Sequence, residues 1–509
     1  MLANIPNWEG AGSELLRIAS LEAEKIYGKA LPIQVERRII KEISDITRQG
    51  YEGVYLINYD MMRNSGIDKY DCYYIGYACY SFVAYLLGLT NIINPLEPHY
   101  RCRNAHFSEF LDSKLHKTCF EMQEKKCPIC GARLERDGYN LPFDKSPFQN
   151  DNLAFDFEIS VPHIKNREMV DGLKKCNHIQ RIIRHGEDKD GDIIPFSGEE
   201  NQRGYYLIPL GKENLIDDKK VYTYKGEDII NWLNGDMPDG FYTEWILEDK
   251  ATDLLYSLYE YSGVSPKLIN IFDENILGLF SSCNTDYREG ENLTRTKSTL
   301  GIPGFGHEWL MDILHEIQPR SVGDLIKICG LLLSEGTWFG NAKDLLESGV
   351  ASLDEVVSTW DDVYEDCIQR GIGEKRAHEI AESVRHGDGL NNEMKQQMKS
   401  AGFDKWYIDS CKKMKRLCCR GQCLVVVLKA LRAAYYKFYF PEDFYNAYFD
   451  TMISEDIRRK LLDGEEHNMQ MLDDMRAWDG SDGFDFDLRE ALMIAEEMYD
   501  RRIDVLRGG

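Results

Sequence analysis

Residues that could do chemistry fall in three stretches of this chain. In Asn152-Leu-Ala-Phe-Asp-Phe-Glu-Ile-Ser160, Leu153, Phe155, Phe157 and Ile159 alternate with Ala154, Asp156 and Glu158. A strand repeats every two residues, so Asp156 and Glu158 share one face and the apolar set takes the other. Carboxylate oxygens are the hard ligands that divalent ions such as Mg2+ prefer. Cys127-Pro-Ile-Cys130-Gly131 is half of a zinc knuckle: the CxxC turn aims two thiolates at one tetrahedral ion, and glycine follows the tight turn. The third stretch begins Trp406-Tyr-Ile-Asp-Ser-Cys411-Lys-Lys-Met-Lys-Arg416. Taken as a helix through Cys418, it sets Ile408, Cys411, Met414 and Cys418 against Lys412, Lys413 and Arg416. With Lys415, Arg420, Lys429, Arg432 and Lys437 it forms a local basic cluster of the kind that contacts phosphates.

That cluster stands out because the chain is acidic. Its 509 residues carry a formal net charge of −25, which opposes gross nonspecific binding to nucleic acid. A local basic stripe can still bind phosphate while the remaining surface stays acidic. Hydrophobic residues at 43% and charged residues at 29% describe a globular chain long enough for two to four domains. No apolar run approaches the roughly 20 residues that span a bilayer. Met1-Leu-Ala-Asn-Ile-Pro lacks the basic start and apolar core of a signal peptide, so the expected location is cytoplasmic, with no membrane partner. Fourteen cysteines in that setting read as thiols or metal ligands rather than disulfides.

The elements that must position these residues follow from periodicity. Leu15, Leu16, Ile18 and Leu21, then Val35, Ile39, Ile40 and Ile43, predict helices over 12–49. Tyr51-Glu-Gly-Val-Tyr-Leu-Ile-Asn58 predicts a buried strand, as do Tyr205–Pro209 and Lys219–Tyr224, with a polar loop around Arg184–Arg203. From about Ala251 the pattern is helical, broken near Gly301, Gly336, Gly371, Gly387 and Gly402, with an acidic tail and a last helix from Leu488 to Arg501. The aromatic run Tyr435, Tyr436, Phe438, Tyr439 and Phe440 could stack on bases, but such a stripe on a helix is more often core. The expected class is α+β: a mixed region first and an all-α region after it.

Several of these stretches together resemble PolC-type DNA polymerase III, the family-C replicase α subunit of Gram-positive bacteria. The resemblance is carried by Trp406–Lys415, Gly301-Ile-Pro-Gly-Phe-Gly306, Gly336-Thr-Trp-Phe-Gly-Asn-Ala342, Asn94-Pro-Leu-Glu-Pro-His-Tyr100 and Tyr435-Tyr-Lys437. It implies a mixed-sheet palm with a helical thumb and a large all-α fingers domain. The expected division is N-terminal helices and first palm part at 1–100, and a cysteine-containing insertion with a thumb-like region at 101–148. A second palm part follows at 149–265, fingers at 266–450, and an acidic linker with a last helix at 451–509. The expected chain lacks the family's exonuclease, duplex-binding and clamp-binding parts.

Carried over position by position, the resemblance finds the active site altered. The family's Pro-Asp-x-Asp strand falls on Leu153–Asp156, so Ala154 replaces the first aspartate and Asp156 alone remains. Its third aspartate falls on Trp245, with Glu244 next to it on the opposite face; Glu158 and Glu244 are the carboxylates that could substitute. In the triphosphate-binding loop, Gly76 and the helix start Ser81-Phe-Val-Ala84 are kept, while Ile75 stands where an arginine is expected. The family's second CxxC follows the His99-Tyr100 pair. Here Cys102 is its first cysteine and Ala105 its second position, leaving His106 or Cys119 to complete a structural zinc site with Cys127 and Cys130.

The resemblance therefore implies a catalytically degenerate core that binds DNA, as primer–template or single strand, or a replisome or other protein. A phage or mobile element is one setting for it. The basic residues Lys412, Lys413, Lys415, Arg416 and Arg420 would contact the DNA. The alternatives are an active DNA-directed DNA polymerase using Mg2+ at rearranged carboxylates, and a scaffold that binds only protein.

Overall fold

In the computed structural model, the apolar spacing of residues 12–49 becomes two helices, α1 (Ala11–Tyr27) and α2 (Ile33–Gln49). Gly50 ends α2 in the left-handed conformation that a helix C-terminus favours. The structure describes residues 6–90, 92–112, 118–143, 157–176, 241–281, 299–477 and 485–506. At 183–185, 203–209, 221–224 and 227–230 it describes strand backbone. The chain divides into two compact units at Asp249/Lys250.

Residues expected as the first strand are instead helix α3 (Glu52–Ser65). Val54, Tyr55, Leu56, Ile57 and Asn58 are all buried, so the segment is apolar on every side. A short run buried all round has no period that separates strand from helix. Its length favours a helix, and tertiary burial decides it.

The strands of the first unit are β1 (Tyr73–Ile75), β2 (His99–Arg101), β3 (Ser108–Phe110), β4 (Glu135–Asp137) and β5 (Glu158–Val161). After them come β6 (Ile183–His185), β7 (Arg203–Pro209), β8 (Val221–Tyr224), β9 (Glu227–Ile230) and β10 (Phe241–Glu248). Arg184 and His185 fall in the stretch expected as loop around Arg184–Arg203, yet β6 pairs with two strands. One sheet has the order β1-β5-β10-β7-β6-β9-β8, and a second has β3-β2-β4. Two further helices are α4 (Phe82–Leu86) and α5 (Asn166–Lys174). Ile159, Val161 and Ile246 are buried in one core with residues of α1 to α5. Gly172 permits the close approach of α5 to α3, since a Cβ there would lie 2.6 Å from the Met61 carbonyl oxygen.

The small sheet is held by polar groups from the Asn94–Tyr100 motif. Asn94 donates to Tyr27 Oη (2.9 Å) and Asp137 Oδ2 (3.0 Å), and Arg101 Nε donates to the same carboxylate at 2.7 Å. His99 Nε2 lies 3.0 Å from Tyr27 Oη, and burial pushes the imidazole pKa down. Buried polar groups are tolerable only when paired, and this motif pairs its own.

Among the described residues the second unit is helical. Its helices are α6 (Lys250–Ser262), α7 (Glu274–Ser281), α8 (Glu308–Ile317), α9 (Val322–Leu333), α10 (Lys343–Glu347) and α11 (Trp360–Gln369). They continue with α12 (Glu374–Arg385), α13 (Asn392–Ser400), α14 (Lys405–Lys413), α15 (Arg420–Tyr439) and α16 (Pro441–Thr451). The last three are α17 (Glu455–Leu461), α18 (Glu465–Arg476) and α19 (Phe486–Asp500). The breaks expected at Gly301, Gly336, Gly371, Gly387 and Gly402 are all left-handed glycines. No helix among the described residues is long and apolar enough to cross a membrane.

Candidate functional site

Three strands of the large sheet carry the positions that the resemblance assigns to metal-dependent chemistry. Antiparallel pairing sets Ile75 of β1 beside Glu158 of β5, and parallel pairing sets Trp245 of β10 beside Glu158 on the other side. Directly paired residues share a sheet face, so Ile75, Glu158 and Trp245 form one row. Glu244 lies one residue away and on the opposite face. It is fully buried there, accepting from Asn58 Nδ2 of α3 (3.1 Å) and Tyr242 Oη (3.0 Å). Glu158 and Glu244 consequently cannot clamp one ion, which removes Glu244 from the rearranged-carboxylate set. Ala154 and Asp156 lie outside the described residues.

The helix start expected beside the triphosphate is filled from within the protein. Gly76 opens a 3-10 turn over Gly76–Tyr80 with φ of 71°, and Ser81 caps α4 by accepting from Ala84 N. The backbone N–H groups of Phe82 and Val83 donate to Glu42 Oε1 (2.9 Å) and Oε2 (3.0 Å), and Ser81 Oγ donates to Oε2 at 2.9 Å. Arg38 closes the arrangement with an ion pair to the same buried carboxylate. Donors that could face an anion are thus already paired with one. Sequence reasoning missed Glu42. Its signal was present, because Val35, Ile39 and Ile46 of α2 are buried and Glu42 falls on their stripe.

The cysteine motif does assemble. Sγ of Cys102, Cys127 and Cys130 and a ring nitrogen of His106 all lie within 4.8 Å of one another. Cys102 Sγ and Cys130 Sγ are 3.6 Å apart, near the roughly 3.8 Å edge of a tetrahedron with Zn–S bonds of about 2.3 Å. Two turns build the cluster. Cys127 N donates to Ala132 O and Cys102 N to Phe107 O, both at 2.8 Å. The Ala132 backbone first, and then His106, hold the Cys130 thiol down to about 6. Cys119 is buried elsewhere, against Tyr139 and near Asp137, so of the two expected fourth ligands the fold brings His106. A three-thiolate, one-imidazole set fits Zn2+ as a closed structural site.

The basic cluster divides in two. Lys412 pairs with Asp409 (2.6 Å), Lys413 Nζ reaches Gly340 O (2.6 Å) and Arg416 lies 3.6 Å from Glu335; with Lys415 they are all exposed. Helix α14 ends at Lys413, not Cys418, because Lys415 N donates to Glu335 O and Glu335 N to Arg416 O. Arg420 is a correction. Its guanidinium is only 13% exposed and grips Glu365 (2.8 Å) and Asp362 (3.4 Å), so it is not offered to a phosphate. Lys429, Arg432 and Lys437 are also buried; Lys437 pairs with Glu497 at 2.8 Å. A helix of mostly apolar residues pulls its few cations into the core, where internal acceptors must satisfy them. The neighbouring aromatics also divide, with Tyr436 buried and Tyr439 exposed.

These two units match known proteins. Residues 13–173 match the bacterial DNA polymerase III alpha NTPase domain, and residues 249–396 match the bacterial DNA polymerase III alpha subunit finger domain. Both matched regions are domains of a bacterial DNA polymerase III α subunit. The DNA polymerase III PolC-type of Thermotoga petrophila is 29% identical over 94% of this chain and 38% of its own length. Those of Bacillus subtilis (29%; 92% and 36%) and Listeria monocytogenes (28%; 91% and 34%) are similar. The chain is thus a PolC-like protein, similar over nearly its whole length to part of PolC-type DNA polymerase III. It spans well under half the length of these curated relatives.

Proposed function

We propose that this protein is a PolC-like palm–thumb–fingers core that holds nucleic acid without joining nucleotides. One observation carries the reading: Glu158 is flanked in its row by Trp245 and Ile75, not by carboxylate or guanidinium. Two-metal nucleotidyl transfer needs several carboxylates that bind two ions about 3.5–4 Å apart, and an indole and a butyl group cannot bind them. The pairing of Glu42 with the start of α4 supports the same reading on the triphosphate side.

Primer extension with Mg2+ or Mn2+ tests it. The expected result is no incorporation above background, the same for the native chain and Asp156→Ala. Incorporation that Asp156→Ala abolishes would overturn the reading in favour of an active polymerase. Binding is assigned to Lys412, Lys413, Lys415 and Arg416. Neutralising two of them should lower the slope of log affinity against log salt by roughly 1.4 to 1.8, the contribution of two phosphate contacts. Absence of salt-sensitive DNA binding would favour a protein-binding scaffold. The knuckle cysteines and His106 would hold Zn2+, which supplies a cross-link and no chemistry.

A further inference from the structure

The loop before α10 pairs with the segment that follows α14. Glu335 and Arg416 form a backbone bridge, and Gly336 has φ of 75°. A Cβ on Gly336 would lie 2.3 Å from the Lys413 carbonyl oxygen, so only glycine lets the two backbones meet. Two residues beyond Trp338, which is buried, Gly340 is again left-handed and accepts from Lys413 Nζ. Between them Phe339 is 77% exposed. A large apolar ring left in water on a rigidly held turn loses the stabilisation that burial would provide. Lys413 thus lies against this turn, and Lys412, Lys415 and Arg416, close to it in sequence, are exposed as well, in a chain whose net charge is −25.

We infer that Phe339 is a base-stacking platform, and that with Lys413, Lys415 and Arg416 it holds a single strand of nucleic acid. An exposed ring beside cations matches a strand whose phosphates lie along one side and whose bases are free to stack. A duplex hides its base faces, so the ring would have nothing to cover there. The Lys415 ammonium has no carboxylate partner among the described residues, and Arg416, itself exposed, holds exposed Glu335 at 3.6 Å and the Leu333 carbonyl oxygen at 3.4 Å. These cations can turn to a phosphate at little cost. This inference rests on the nucleic-acid reading above and adds to it a site, a strand state and a mode of contact.

The test is a salt titration of the full chain with oligothymidylate, an abasic strand of equal length and a hairpin duplex. Phe339→Ala should weaken oligothymidylate binding about five- to hundredfold with an unchanged salt slope. Phe339→Trp should keep the affinity. The abasic strand should bind the native chain no better than oligothymidylate binds Phe339→Ala. Lys413→Ala with Arg416→Ala should lower the salt slope instead. If those lysine and arginine changes weaken binding while Phe339→Ala does not, the inference fails and nucleic-acid binding stands. If the native chain binds no strand in a salt-sensitive way, both fail. Phe339 is on the surface, so its loss should leave thermal unfolding unchanged, and that measurement excludes misfolding as the cause.

Discussion

Cys127→Ser should empty the proposed zinc site, taking the zinc content from about one ion per chain to near zero. The expected size of the effect comes from the bond it removes: structural Zn2+ contributes about 10–16 kcal/mol of apparent binding free energy in small knuckles at neutral pH. The surrounding structure has little to replace it. Strands β2, β3 and β4 have three residues each, and sheets that small need further packing to be stable. The Tyr27–Asn94–Arg101–Asp137 network should hold the base of the sheet. Unfolding is therefore expected in the two turns, seen as new protease cleavage between Cys102 and Leu134. Elemental analysis after gel filtration measures the metal. Cys119→Ser, outside the cluster, should keep it, and His106→Cys should keep it with four thiolates. A native chain purified without added chelator that contains no metal would overturn the zinc assignment.

Asp362→Ala should destabilise the helical unit by about 3–5 kcal/mol, the range for breaking a buried ion pair from one side. Asp362 Oδ2 accepts from Ser358 N (2.9 Å), Ser358 Oγ (2.7 Å) and Thr359 N (3.0 Å), capping α11. Lys327 stands 3.0 Å from it and Arg420 3.4 Å. Removing the carboxylate leaves those cations buried, with Arg420 retaining Glu365. Urea unfolding monitored by helical circular dichroism should show a lower midpoint at unchanged slope. A loss below about 1 kcal/mol would mean that solvent reaches the cluster and screens it.

The same carboxylate predicts a pH dependence. Burial opposes its charge, but Lys327, Arg420 and the Ser358 hydrogen bonds hold it well below the usual carboxylate range. As pH falls, the unfolded chain takes up this proton first, near about 3.9. The stabilisation is therefore complete above that value and is lost progressively as pH falls below it. Asp362→Asn should flatten the acid limb of the stability curve. An unchanged limb would assign acid sensitivity to other carboxylates.

Much of this was legible in residue order. The alternation around Glu158, the glycine breaks after Gly301 and the last helix follow from local rules, since strand period and left-handed backbone are properties of a few adjacent residues, while the strand at Trp245 was implied by the resemblance. The CxxC at Cys127 identified half of the knuckle, and motifs such as Asn94–Tyr100 carried the family. Where the reading failed, the deciding contacts were distant in sequence. Tyr51–Asn58 is apolar all round, so only its packing in the first unit made it α3. Helix α14 stops at Lys413 because its continuation pairs with Glu335, some 80 residues earlier.

By itself, then, the sequence determined the family, the order of a mixed unit and a helical one, and the residue types present at each expected catalytic position. Only tertiary structure decided which charges are available. Arg420, Lys429, Arg432 and Lys437 look the same in one-letter order as Lys412, Lys413, Lys415 and Arg416. Four are buried or nearly so against internal partners, and four face solvent. Likewise Glu244 and Glu158 are both glutamates on neighbouring strands, yet one residue of register puts them on opposite faces. The cause is the same in each case: desolvation and pairing depend on what the fold brings within about 4 Å of a charge, and those partners are not its neighbours in the chain.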